Sequence, residues 1–162
     1  LTDISFTGYS LNAIDTKNRL SIPSEFRDVI KARSGTSDLY VGPAKGFDCL
    51  IAYDDTRHRD LQARLDAQDV DEESVDGAMR AIGLFGGALS YKIDEPGRIV
   101  VTAGLRDLGD LTSHVWFIAG GKWFQMWNPY RFLELPDLEP RMRRTLLREM
   151  QAKGLPLQEP AR

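Results

Sequence analysis

The chain has 162 residues, 42% hydrophobic and 28% charged, with a formal net charge of −3 and one cysteine. That length suits one domain or two small intertwined units. No apolar run approaches the ~18 residues of a spanning helix, and one cysteine excludes an intramolecular disulfide. The acidic total argues against nucleic acid only as a total. Six acids and no base lie between Asp66 and Asp76, so everything outside that run sums to +3, and a locally basic surface stays open.

The opening stretch "LTDISFTGYS" has no basic segment followed by an apolar core, so it reads as no secretory signal and the expected address is the cytoplasm. A strand then ends at Asp15. The loop Thr16-Lys17-Asn18 follows, and "RLSI" reads as a β-rich run. Pro23 suits the first turn of a short helix in which Phe26, Val29 and Ile30 have i, i+3, i+4 spacing. "DLYVG" and "CLIAY" read as a strand pair. Cys49 heads the second and is expected to be a buried small hydrophobe. Helical sequence over 55–68 carries Leu61 and Leu65 on one face. A second helix over 72–84 carries Val75, Ala78, Met79 and Ile82, and the acidic run between them reads as solvated linker and helix start.

The order then recurs. A strand ends at Asp94, Glu95-Pro96-Gly97 forms the loop, and "RIVV" is the β-rich run. Thr102 suits an N-cap before a short helix with Leu105 and Leu108. "HVWFIAG" and "KWFQMW" pair through a Gly120-Gly121 turn, placing Trp116, Trp123 and Trp127 in strands as core or subunit interface. The last helix carries Leu138, Met142, Leu146 and Met150. The tail "KGLPLQEPAR", with glycine and two prolines, is expected to fray.

"IDTKNRLSIPSEFRD" and "IDEPGRIVVTAGLRD" are 79 positions apart, and "CLIAYDDTRHRDL" aligns with "WFQMWNPYRFLEL" at an offset of 74. The drift falls in the turn-rich loops "ARSGTSD" and "GDLTSH". Two such halves can close on each other about a pseudo-two-fold axis. In each Asp-x-x-x-Arg loop, Pro96-Gly97 is a turn signal, with proline at the first central position and glycine at the next; Lys17-Asn18 takes the same places. The turn sets Asp and Arg facing, so Asp15 and Asp94 are read as structural ion-pair partners. For Arg19 and Arg98 two readings stay open, because a guanidinium has five donors and one partner does not exhaust it. Paired, rigid arginines suit DNA phosphates and guanine edges; Lys17, Arg27 and Arg106 lie beside them in sequence.

These residues, with "CLIAYD" and "FQMWNPYRF", resemble the two SpoVT/AbrB-type repeats of the MraZ family, from about Tyr9 to the C-terminal helix. The resemblance implies an α+β fold: a pseudo-two-fold swapped-hairpin β-barrel from two tandem repeats, with flanking helices. It divides the chain into a first repeat (9–56), a helical acidic connector (57–85), a second repeat (86–131) and a C-terminal helix and tail (132–162). It implies a nucleoid-associated regulator, a repressor, that binds double-stranded DNA at short direct repeats upstream of the division and cell-wall gene cluster containing its own gene. Chains of this kind assemble into rings. The family's DNA-contacting positions match Arg19 and Arg98 most clearly, then Lys17, Arg27 and Arg106. The departures are Thr102-Ala103 where proline usually starts the helix, Asn18 where glycine is usual, and a less basic second loop.

Two rivals are weighed. An aspartic-protease dyad of Asp15 and Asp94 needs small neighbours and a shared proton, whereas here Thr-Lys and Glu-Pro follow and each arginine holds its carboxylate ionised. His58 and His114 lie in different elements, and no metal spacing, Walker loop or nucleophile elbow occurs. No enzyme activity, cofactor, metal, membrane or small-molecule substrate is expected. The other rival is a protein-interaction or antitoxin-like scaffold of the same fold. The C-terminal cluster Arg141, Arg143, Arg144 and Arg148 stays open between a solvated face, phosphate contact and a subunit interface.

Overall fold

A computed structural model describes residues 4–68 and 70–162. The first half of the chain gives β1 (Tyr9–Ala13), β2 (Arg19–Ser21), α1 (Ser24–Ser34), β3 (Asp38–Pro43), β4 (Leu50–Tyr53), α2 (Asp55–Asp66) and α3 (Val75–Ala81), which runs on into a π-helical turn (Ile82–Gly86). The second gives β5 (Leu89–Lys92), β6 (Arg98–Val100), α4 (Ala103–Gly109), β7 (His114–Ala119), β8 (Phe124–Trp127), α5 (Pro129–Leu133) and α6 (Pro140–Ala152). Local chemistry fixes the boundaries. Thr102 accepts the Leu105 N–H as an N-cap, and Asp54 and Asn128, both fully buried, do the same for α2 and α5. Pro23 stands at the cap of α1, one residue before its first turn, and Gly35 ends that helix with φ 71°.

The fold is α+β. Its main sheet is antiparallel, ordered β1-β7-β8-β4-β3-β5, and β2 pairs only with β6 in a separate ribbon. The sheet order reads the same from both ends once repeat equivalents are exchanged. β1 of the first repeat pairs with β7 of the second, Leu11 facing Trp116; β5 pairs back onto β3, Ser90 facing Tyr40. Where Leu20 meets Ile99, and where Ile51 meets Gln125, each residue faces its own repeat counterpart. The pseudo-two-fold axis therefore passes through the ribbon and the middle of the sheet.

The expected closed barrel is not formed by hydrogen bonding. β1 and β5 are edge strands, and between β1 and the ribbon the described residues form no strand ladder, but the isolated Ile14–Leu20 bridge and an Asn12 side-chain hydrogen bond to the Ser21 carbonyl at 2.7 Å. Strands of three residues, interrupted by the Asp-x-x-x-Arg loops, have too few ladder positions to carry pairing round both sides.

The ribbon, α1 and α4 cover one face of the sheet. Leu20, Ile22, Phe26, Ile99, Val101 and Leu105 pack there against Val41, Ala52, Phe117 and Met126. On the other face, Trp116, Trp127 and Phe132 lie under Leu146 and Met150 of α6. Cys49 joins this second cluster at 1% exposure, and burial pushes its thiol up to about 12, as expected of an inert core residue.

Three expectations change. The tail does not fray: after Gly154 (φ 72°) it folds back, Tyr130 donates from its hydroxyl to the Pro156 carbonyl, Arg131 pairs with Glu159, and Arg162 pairs with Asp110. Sequence shows the proline and glycine but not these distant partners. Trp123 precedes β8 instead of lying in it, and its ring packs over Gly120, where a Cβ would meet it at 2.3 Å. The face expected to bury α3 is exposed, with Val75 at 82%, Met79 at 62% and Ile82 at 58%.

Candidate nucleic-acid interface

Both Asp-x-x-x-Arg loops close the same way. Asp15 and Arg19 exchange a backbone contact across the loop (Asp15 N–H to the Arg19 carbonyl, 2.9 Å), and the Asn18 N–H donates to the Asp15 carbonyl at 3.0 Å. In the second loop the Asp94 N–H meets the Arg98 carbonyl at 2.9 Å, and the Gly97 N–H meets the Asp94 carbonyl at 2.9 Å. The left-handed residue is the third of the loop, Asn18 (φ 62°) or Gly97 (φ 96°). That is the three-residue hairpin loop with a left-handed closing position. Lys17 and Pro96 are therefore second in the turn, one place later than the dipeptide signal suggested.

The carboxylates hold this geometry. Asp15 Oδ1 accepts from the N–H groups of Lys17 (2.9 Å) and Arg19 (2.8 Å), and its Oδ2 from Arg19 Nε (2.9 Å). Asp94 Oδ1 accepts from the Arg98 N–H (2.7 Å), and its Oδ2 from Arg98 Nε (3.1 Å). The Arg19 N–H first, and then its guanidinium, hold Asp15 below the usual carboxylate range; Arg98 does the same for Asp94.

Each arginine spends only Nε on its aspartate. The Nη nitrogens of Arg19 and Arg98 have no hydrogen-bond partner among the described residues. In the ribbon, Arg19 faces Val100 and Ser21 faces Arg98, while Leu20 and Ile99 between them point into the core. Strand alternation then puts Arg19, Ser21, Arg98 and Val100 on one outward face. With a rise of ~3.4 Å per residue and strands ~4.8 Å apart, the two arginine Cα atoms are roughly 8 Å apart. Sequence reasoning missed Ser21 and Val100, though the parity of "RLS" and "RIV" would have found them. Val100 is 57% exposed on this face, directly opposite Arg19.

Lys17 is exposed at the tip of the first loop. Arg27 and Arg106 sit behind the loops, each bracing the other repeat's. Arg106 donates to the Asn18 side-chain carbonyl at 3.0 Å and to the Thr112 carbonyl at 2.6 Å. Arg27 donates to the Ile22 carbonyl at 3.0 Å, and its guanidinium lies so close to Gly97 that an added Cβ would meet Cζ at 2.4 Å. The backbone crosses in the same way: Ile22 N–H donates to the Gly97 carbonyl at 2.9 Å, and Val101 N–H to the Asn18 carbonyl at 2.7 Å. Among the described residues, no group of three or more His, Cys, Asp or Glu is placed to hold a metal ion, and no helix is long and apolar enough to cross a membrane.

No protein-family model matches the chain. It is 34% identical over 152 residues to the transcriptional regulator MraZ of Ruegeria sp. (strain TM1040), covering 85% of this chain and 86% of that protein. It is 32% identical over 127 residues to the protein of the same name from Beijerinckia indica subsp. indica, covering 78% and 76%. With that of Methylocella silvestris it shares 30% identity over 149 residues, covering 91% and 88%. The doubled Asp-x-x-x-Arg loop thus sits in a chain that matches these proteins over most of its length, and the chain belongs to the MraZ family.

Proposed function

We propose that this protein is a sequence-specific, DNA-binding transcriptional regulator, a non-enzymatic repressor working in the cytoplasm on the nucleoid. It binds short direct repeats upstream of the division and cell-wall operon that contains its gene, and it does so as a ring-like oligomer. The relatives' shared name supports the regulator reading. The observation that carries it in this chain is the outward ribbon face, where Arg19 and Arg98 are pinned through Nε while their Nη nitrogens stay open. A guanidinium fixed in this way loses little further freedom on meeting a phosphate or a guanine edge. Arg19, Arg98 and Lys17 make the contacts; Arg27 and Arg106 contribute chiefly by holding the loops.

The exchanged strand pairing supports reading the architecture as two SpoVT/AbrB-type repeats, 9–56 and 86–131, with 57–85 as connector and 132–162 as C-terminal unit. The sheet and ribbon stand for the two walls of a swapped-hairpin barrel.

Fluorescence anisotropy tests this. The probe is the DNA upstream of the protein's own gene, against a shuffled control, at two salt concentrations. Native DNA should be preferred, with binding weakening at log–log slope about −0.9 per phosphate neutralised. Arg19→Ala and Arg98→Ala should each lose that preference while keeping the parent's circular dichroism. Equal binding to both probes at every salt would overturn the reading. The scaffold alternative would then stand, as it would if the arginine variants lost assembly instead of DNA.

A further inference from the structure

α6 packs on β1, at one edge of the sheet, whereas α3 runs into the π-helical turn that leads to β5, at the other edge, and the two helices present unlike outer surfaces. α6 buries Leu146 and Met150 and exposes Arg141, Arg144 and Arg148 at i, i+3, i+7 spacing. Where the chain turns back after Gly154, Leu147, Leu155, Pro156 and Leu157 form a groove of about 720 Å³ with Arg144 and Arg148 on its rim. Leu157 is 70% exposed. α3 is the converse. Val75 and Met79, with Ile82 at the start of the π-helical turn, form an exposed apolar stripe at i, i+4, i+7, and exposed Asp71, Glu72, Glu73 and Asp76 crowd its approach and first turn. Asp76 is paired at 3.2 Å with Arg80, which leaves the run acidic overall.

We propose that α3 of one chain docks in the α6–tail groove of a second copy. Val75, Met79 and Ile82 would fill the apolar floor, and the acidic approach would meet Arg144 and Arg148. This inference rests on the oligomer reading above and names its contact. Charge selects the geometry. Two α3 stripes facing each other would bring both acidic runs together, and two grooves would oppose their arginines; only the unlike pair is complementary in both charge and polarity. A contact between unlike surfaces at opposite ends of a molecule is heterologous, so it propagates from chain to chain and closes into a ring when the rotation permits.

The test is assembly by light scattering coupled to gel filtration. Variant one is Met79→Asp with Ile82→Asp; variant two is Arg144→Glu with Arg148→Glu. All four positions are exposed, and thermal unfolding checks that both variants stay folded. The parent should be a higher oligomer and each variant alone a monomer. An equimolar mixture should give a 1:1 dimer, because one intact stripe and one intact groove remain. Combining Glu72→Lys and Glu73→Lys with Arg144→Glu and Arg148→Glu in one chain should restore the assembly that variant two alone loses. A monomeric parent, variants of parental mass, or monomers that do not pair on mixing would each overturn the inference. DNA separates this from the functional reading. The variants keep their loops, so on a single-repeat probe they should bind like the parent, while on three repeats they should lose ~10²-fold or more of avidity. Variants that keep the parental mass and the salt-sensitive DNA preference would sink only the inference. Assembly as described with no DNA preference would sink only the regulator reading.

Discussion

At the scale of single residues, the loops depend on groups far away in sequence. Gly97 has φ 96° and the Arg27 guanidinium against its α-carbon. Gly97→Ala should cost about 1–3 kcal/mol and displace Arg27, read as a lowered unfolding midpoint with weaker DNA binding. Asn18→Gly should leave the turn intact, because glycine accepts the same φ, and should lose only the Arg106 contact. Arg33 and Asp54 form a buried pair, Nε to Oδ2 at 2.7 Å, with 4% and 0% of their side chains exposed. Asp54 also caps α2. Arg33→Met would strand that carboxylate and should cost about 3–5 kcal/mol in chemical denaturation. The doubled Asp and Arg could be read directly, since a turn and a salt bridge are local. The bracing could not: Arg106 reaches Asn18 across 88 positions, and only the exchange of strands brings them together.

Elements were legible where the signal is periodic or a cap is named. Thr102 behaves as the N-cap its position suggested, and Thr102→Ala should remove about 1 kcal/mol, measurable as a shift in the denaturation midpoint. The strand pairs β3–β4 and β7–β8 lie where alternation placed them. Periodicity failed at α3, because an apolar stripe says that something covers a helix but not which chain supplies it. Composition failed at the tail. Glycine and proline there make a reversal, and Glu159 and Arg162 then tie it to Arg131 and Asp110. Deleting residues 156–162 should lower the unfolding midpoint slightly, since exposed pairs contribute little, and it should also remove Pro156 and Leu157 from the groove beside α6.

For the whole molecule, the shifted groups give one pH dependence. Asp15, Asp94, Asp110 and Glu159 all have folded pKa values below their ordinary 3.8 or 4.5; the leading lowering causes are the Arg19 N–H, the Arg98 N–H and, for both of the others, the Arg162 side chain. Their contribution is complete above those values and is lost as pH falls through the folded ones. Burial likewise lowers His114 below 6.5, so the unfolded chain binds its proton first and stability begins to fall below about pH 6.5. Thermal midpoints should therefore be level from pH 7 to 8, decline gently towards 5 and drop steeply below 4. A midpoint that rises on acidification would contradict these assignments.

The near-identity of the two halves has a further consequence for how an operator could be read. A true dimer of one repeat would present two equal loops, and two equal loops suit a palindrome, whose half-sites mirror the protein's symmetry. Here both copies lie in one chain, and their loops have diverged: Thr16 and Lys17 on one side, Glu95 and Pro96 on the other. The backbone is almost two-fold, but its charge is not. One end of the ribbon is cationic and the other is tempered by an acid, so the face has a direction along the duplex. A reader with a direction can tell one strand sense from the other, and identical copies of it laid side by side fit sites that all point the same way.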